Sequence, residues 1–76
     1  SNVNLYKIAR YAREGETVVV PGKILSIGEL DRGVTVAAYQ CSDAARQKIT
    51  KANGQVMTIT ELLAKNPKGQ KVRVLA

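Results

Sequence analysis

Histidine, phenylalanine and tryptophan are missing from these 76 residues, and cysteine occurs once, at Cys41. Without imidazoles and with a single thiol there is no Cys/His metal site, and six scattered carboxylates do not make one. One cysteine also excludes an internal disulfide and fits a reducing compartment. Cys41 lies in an apolar run with no histidine to take its proton, so it reads as a buried, inert thiol and not a nucleophile. No apolar run approaches the ~20 residues of a membrane span, and no signal peptide is visible. Acidic residues are scarce: 6 against 12 Lys and Arg leave a net charge of +6 and a pI near 9.8. A polyanion is therefore the default partner, RNA or DNA ahead of an anionic membrane, with a basic surface kept for solubility as the bland alternative.

What is present suffices for one domain, residues 1–76, with no room for a second core. The start, Ser1-Asn2, has no initiator methionine and reads as a cleavage scar, so the natural chain is expected to begin upstream. Leu5, Ile8, Ala9 and Ala12 in NLYKIARYAREG follow helical spacing, with Asn4 expected to cap the start and Gly15 to supply the stop. Tyr6, Lys7, Arg10 and Arg13 collect on the opposite face. TVVV reads as a strand closed by Pro21, GKIL as a further short extended piece, and SIGELDRG as turns. Val34–Cys41 is apolar on both alternating faces, the pattern of a central strand covered on two sides.

Ser42 is placed to cap a second helix with Asp43 in its first turn, and Ala45, Ile49 and Ala52 form its inward stripe. Gly54 is expected to end that helix in a left-handed conformation. QVM leads as a brief strand to Thr58, which with Glu61 matches a capping box, and the helix ITELLAK stops before Asn66-Pro67. NPKGQ is a loop. KVRVLA alternates, with Val72 and Val74 on one face and Lys71 and Arg73 on the other. Three short helices and four or five short strands in alternation predict an α/β domain.

PGKILSIGEL sets two glycines and a lysine in one connection, as a phosphate loop would. A nucleoside-triphosphate loop, however, needs the lysine after its second glycine and a hydroxyl next. Here Lys23 follows the first glycine, and Gly28 is trailed by Glu29. A dinucleotide fingerprint is absent as well. Glu29 and Asp31, close together in a turn, read as solvated, capping or paired with Arg32 rather than as an acid–base pair. An enzyme is not expected. Three tyrosines with no other aromatic do not make the studded strand of a single-strand RNA binder, which turns the reading towards backbone and shape recognition of folded RNA.

The stretches VNLYKIARYAREGETVVVPGKIL, GEL, VTVAAYQCSDAARQKI and NPKGQKVRVLA together resemble the large-subunit ribosomal proteins eighteen-e of archaea and eukaryotes, relatives of bacterial ribosomal protein fifteen. Each stretch alone is weak, but their order and spacing from Val3 to the end are specific, and they favour the archaeal type. The resemblance implies an irregular superhelix of strand–strand–helix turns and a structural, ribosomal-RNA-binding role in the cytoplasmic ribosome. It implies no catalysis or cofactor, and neighbouring ribosomal proteins as further partners. It also implies that the family's basic N-terminal segment is absent from this chain. Ser26 and Cys41 depart from the glycine and phenylalanine that relatives often carry there.

On this reading Lys7, Arg10 and Arg13 on the first helix and Lys23 in the opening loop are expected to contact phosphates. Lys68, Lys71 and Arg73 follow, then Arg46, for which local pairing with Asp43 is the alternative. Gly22, Gly28 and Gly69 would act through backbone shape. No metal, small-molecule substrate or membrane is expected, and the isolated chain is expected to be a monomer. Two readings compete: a basic adaptor docking an acidic protein, and a small nucleotide-dependent enzyme with a pocket near Lys23.

Overall fold

In the computed structural model, which describes residues 2–76, strand β1 (Asn2–Asn4) runs straight into helix α1 (Leu5–Tyr11). β2 (Thr17–Leu25) and β3 (Thr35–Cys41) follow, then helix α2 (Asp43–Lys51). β4 (Gln55–Thr58), helix α3 (Ile59–Lys65) and β5 (Val72–Val74) complete the chain. All the pairings are parallel, in the order β1-β2-β3-β4, and β5 joins the same edge of β2 as β1. The expected α/β alternation is thus laid out as one parallel sheet with helices on both faces.

The two-sided burial foreseen for Val34–Cys41 is present. Val36 and Ala38 enter the larger core with Val18, Val20 and Ile24 of β2, Leu5 and Ile8 of α1, and Ala45 and Ile49 of α2. Ala37, on the opposite face, packs with Met57 of β4 and Leu62 of α3. α1 and α2 therefore cover one face, and α3 covers part of the other. Among the described residues no helix is long and apolar enough to cross a membrane.

Several local expectations change. Pro21 does not close β2, which continues through it to Leu25. On the β3 side the register jumps between Val20 and Lys23, and on the other edge β5 pairs only as far as Val19 while β1 begins at Lys23. Pro21 falls in that gap, where its missing N–H breaks no ladder. Lys23 is consequently a strand residue and not a loop residue.

Asn4 makes no side-chain cap on α1; its Oδ1 instead accepts from the Ile27 amide at 3.2 Å. The helix stops at Tyr11, before Gly15, and Arg32 donates to the Ala9 and Ala12 carbonyls at 3.0 and 2.8 Å. After α2 the left-handed residue is Asn53 (φ 65°), not Gly54. Gly54 is required for space, since a Cβ there would lie 2.5 Å from the Val34 carbonyl oxygen.

At the C-terminus the alternation is present, but the inward face is the other one: Val74 is 62% exposed, and Leu75 is buried in the larger core. Val74 pairs with Val19 on the face that α3 covers only in part, whereas Leu75 lies on the face beneath α1 and α2. The caps at Ser42 and Thr58 are as expected, with Ala45 N–H to Ser42 Oγ at 3.2 Å and the reciprocal Thr58–Glu61 bonds at 3.0 and 3.1 Å.

Candidate nucleic-acid interface

α1 turns Leu5 and Ile8 into the core and leaves Tyr6, Arg10 and Tyr11 exposed, with no acidic residue along its length. The Arg10 guanidinium lies 5.5 Å from the Tyr11 ring centroid, a cation–π contact that leaves Arg10's N–H groups without a carboxylate partner. Lys7, half-buried, donates to the Ala76 oxygen at 2.6 Å and so ties the helix to the chain end. Arg13 is exposed in the turn beyond the helix.

α1 runs from the ends of the strands back to their beginnings and so connects two groups of cations. At the beginnings, Arg13, Glu14, Glu16 and Arg32 line an open cleft of about 490 Å³ together with Thr17 and Thr35. The turn bearing Lys68 and Lys71 adjoins it, because the Thr17 amide donates to the Lys71 carbonyl at 2.9 Å. That turn is held by Asn66, whose Nδ2 donates to the Gln70 carbonyl at 2.7 Å, and it uses positive φ at Gly69 (64°) and Lys71 (55°). At the strand ends, Lys23 is in register with Gln40, and Arg46 lines a small crevice with Tyr39, Gln40 and Glu61. Both cations lie near Cys41: burial pushes its thiol up, and the charges of Arg46 and Lys23 oppose the rise. Cys41 packs against the larger core but is only half-buried, not buried as expected.

Of the twelve basic residues, three form ion pairs among the described residues: Arg32 with Asp31, Lys48 with Glu29, and Arg73 with Glu16. Arg46 does not pair with Asp43. Arg73, expected from its residue type to meet phosphate, has a carboxylate of its own, with Nε 2.7 Å and a terminal nitrogen 3.4 Å from the two Glu16 oxygens. Gly28 combines positive φ with close approach to Tyr6, whereas the positive-φ glycines do not include Gly22.

Sequence reasoning did not foresee that Arg32 and Lys48 are structural. Lys48 Nζ holds the Ser26 and Gly28 carbonyls, each at 3.0 Å, and these partners lie 22 and 20 residues away along the chain. No local pattern signals a contact of that range. No group of three or more potential metal ligands occurs among the described residues.

The Glu16–Arg73 pair predicts a pH dependence. The hydrogen bond from Arg73, aided by its charge, holds the Glu16 carboxyl below its ordinary value of 4.5. A lowered folded-state value means stabilisation that is present above 4.5 and lost as pH falls through the folded value. Wild type should melt higher than Glu16→Gln at pH 7, and the two curves should converge as pH is lowered from about 5 to 3. A constant difference across that range would sink the assignment.

A family model described as ribosomal protein 60S L18 and 50S L18e matches residues 2–76. The chain is 56% identical over 75 residues to the large ribosomal subunit protein eL18 of Methanospirillum hungatei, covering 99% of this chain and 62% of that protein. It is similar to the protein of the same name from Pyrobaculum aerophilum, 47% identical over 73 residues and covering 96% of this chain and 60% of the relative. The Thermoplasma acidophilum protein is 40% identical over 75 residues, covering 99% of this chain and 62% of the relative. The chain thus spans about 62% of the length of the curated relatives it matches.

Proposed function

The chain belongs to the family of ribosomal proteins 60S L18 and 50S L18e, and on that premise we propose that it is a structural constituent of the large subunit of the cytoplasmic ribosome. It binds folded ribosomal RNA beside neighbouring ribosomal proteins, without a catalytic step. The observation that carries this reading is the placement of cations lacking a carboxylate partner along α1 and at both ends of the sheet, in a chain of net charge +6.

Such an arrangement neutralises phosphates over an extended footprint and fixes RNA segments relative to a rigid body. Arg10 contributes from α1 and Arg13 from the turn beyond it, Lys23 and Arg46 from the strand ends, and Lys68 and Lys71 from the opposite end; Lys7 contributes once its ammonium leaves the Ala76 oxygen. Arg73 contributes less, because a phosphate would have to displace Glu16. Gly28 and Gly69 act by letting their turns form.

Titrating the chain with large-subunit ribosomal RNA over a range of salt tests this. With five to seven phosphates contacted, the slope of log K against log salt should be roughly −4 to −6, each contact adding about 0.7–0.9. Arg10→Ala/Arg13→Ala should make the slope shallower by about 1.5. A slope near zero, with saturable binding to an acidic protein instead, would overturn the RNA reading in favour of an adaptor.

A further inference from the structure

Two large apolar side chains stand in solvent where α1 begins: Tyr6 is 59% exposed and Ile27 66%. Isolated exposed hydrophobics are ordinary on any surface. These two differ in how firmly their backbone is held. The Tyr6 amide donates to the Ile27 carbonyl at 3.0 Å. The Ile27 amide donates in turn to Asn4 Oδ1, the side chain that helix capping leaves unused. On either side of Ile27, the Ser26 and Gly28 carbonyls accept from Lys48 Nζ. Gly28, at φ 109°, brings the loop so close that a Cβ would sit 2.4 Å from the Tyr6 nitrogen. Loop and helix are therefore fixed to each other at the backbones of Tyr6 and Ile27, and both of these side chains are exposed.

The charge around this pair is positive. Arg10 lies on the same helix, four residues beyond Tyr6 and over the neighbouring Tyr11 ring, and α1 carries no carboxylate; Lys7, one residue beyond Tyr6, is engaged by the Ala76 oxygen. Glu29, in the same loop, is engaged by Lys48 Nζ at 3.0 Å. An exposed π-face beside a cation suits a nucleobase, which stacks while an adjoining phosphate meets the charge. An apolar side chain of a protein partner would use the same two residues but gain nothing from the surrounding charge.

We propose that Tyr6 and Ile27 form a stacking step for one unpaired base of the bound RNA, with Arg10 at a flanking phosphate. The inference rests on the RNA reading above and deepens it, since it adds one extruded base to recognition otherwise carried by backbone and shape.

Two RNA hairpins of the same stem, one fully paired and one carrying a single bulged 2-aminopurine, provide the test with the full 76-residue chain. The bulged hairpin should bind about tenfold tighter, and the 2-aminopurine emission should change on binding. Tyr6→Phe should keep the preference. Tyr6→Leu should abolish it while leaving affinity for the paired hairpin within about twofold. Tyr6 is exposed, so both variants should melt with the wild type, which separates stacking from folding. Equal binding of both hairpins, with a steep salt slope retained, would overturn the step and leave the RNA reading standing. Binding to neither would overturn both. A preference for the bulge that survives Tyr6→Leu would also overturn the step, and with it the assignment of this apolar pair to RNA rather than protein.

Discussion

Gly28→Ala should destabilise the chain by about 2–4 kcal/mol, a large share of the roughly 5–10 kcal/mol expected for a domain this small. Two effects add. The backbone sits at φ 109°, a region that residues with a Cβ rarely occupy. The added methyl would also lie 2.4 Å from the Tyr6 nitrogen and 2.8 Å from its Cα, and these are backbone atoms that cannot swing aside.

Relief requires the Ser26–Glu29 loop to lift from α1, which breaks the hydrogen bond from the Tyr6 amide to the Ile27 carbonyl and strains the carbonyls held by Lys48. Gly15→Ala is the matched control. Gly15 has φ 80° but nothing within 4 Å of its missing Cβ. That substitution should cost about 1 kcal/mol, the backbone contribution alone. Urea unfolding followed by circular dichroism measures both. Equal midpoints for the two variants would show that close approach to Tyr6 does not matter.

Ile49→Ala is the second large effect, at about 3–4 kcal/mol. Ile49 is fully buried in the larger core, and its carbonyl accepts from the Gly54 amide at 2.8 Å. Truncation removes three carbons from a site ringed by β2, β3 and α2, and the surrounding sheet cannot collapse into the void. A melting-temperature drop of roughly 12–32 °C follows for a domain of this size. Ile59, half-buried beside the smaller cluster of Ala37, Met57 and Leu62, makes the contrast. Ile59→Ala should cost clearly less, about 1–2 kcal/mol, because water already reaches it. A smaller loss at Ile49 than at Ile59 would contradict the ranking of the two clusters.

Much of the architecture was legible because its signals are local. Ser42 and Thr58 cap within three residues of themselves, and Asn66-Pro67 ends α3 through sterics between neighbours. The doubly apolar run through β3 announced a covered central strand. β1 escaped notice because three residues carry no period. Pro21 reads as a terminator because its donor deficit is visible in sequence, whereas the gap in pairing that tolerates it is not.

The candidate interface divides the same way. That α1 would bear Arg10 outward follows from the spacing of Leu5 and Ile8, and the charge imbalance pointed to a polyanion before any geometry; Arg13 falls instead in the turn beyond the helix, and Lys7 is half-buried against the Ala76 oxygen. That Arg73 would be held by Glu16, 57 residues away, and that Tyr6 would meet Ile27, could not be read from any window of the chain.

By itself, then, the sequence determined the α/β class, the caps, the central strand, the basic character and the family resemblance. These depend on composition and on neighbours within a few residues. Only the tertiary structure decided which face of β5 is buried, which cations are already paired, and that PGKILSIGEL is a strand ending in a clamped loop. Those outcomes depend on contacts closed across 20 or more residues, where sheet register and close packing, not local pattern, choose the partners.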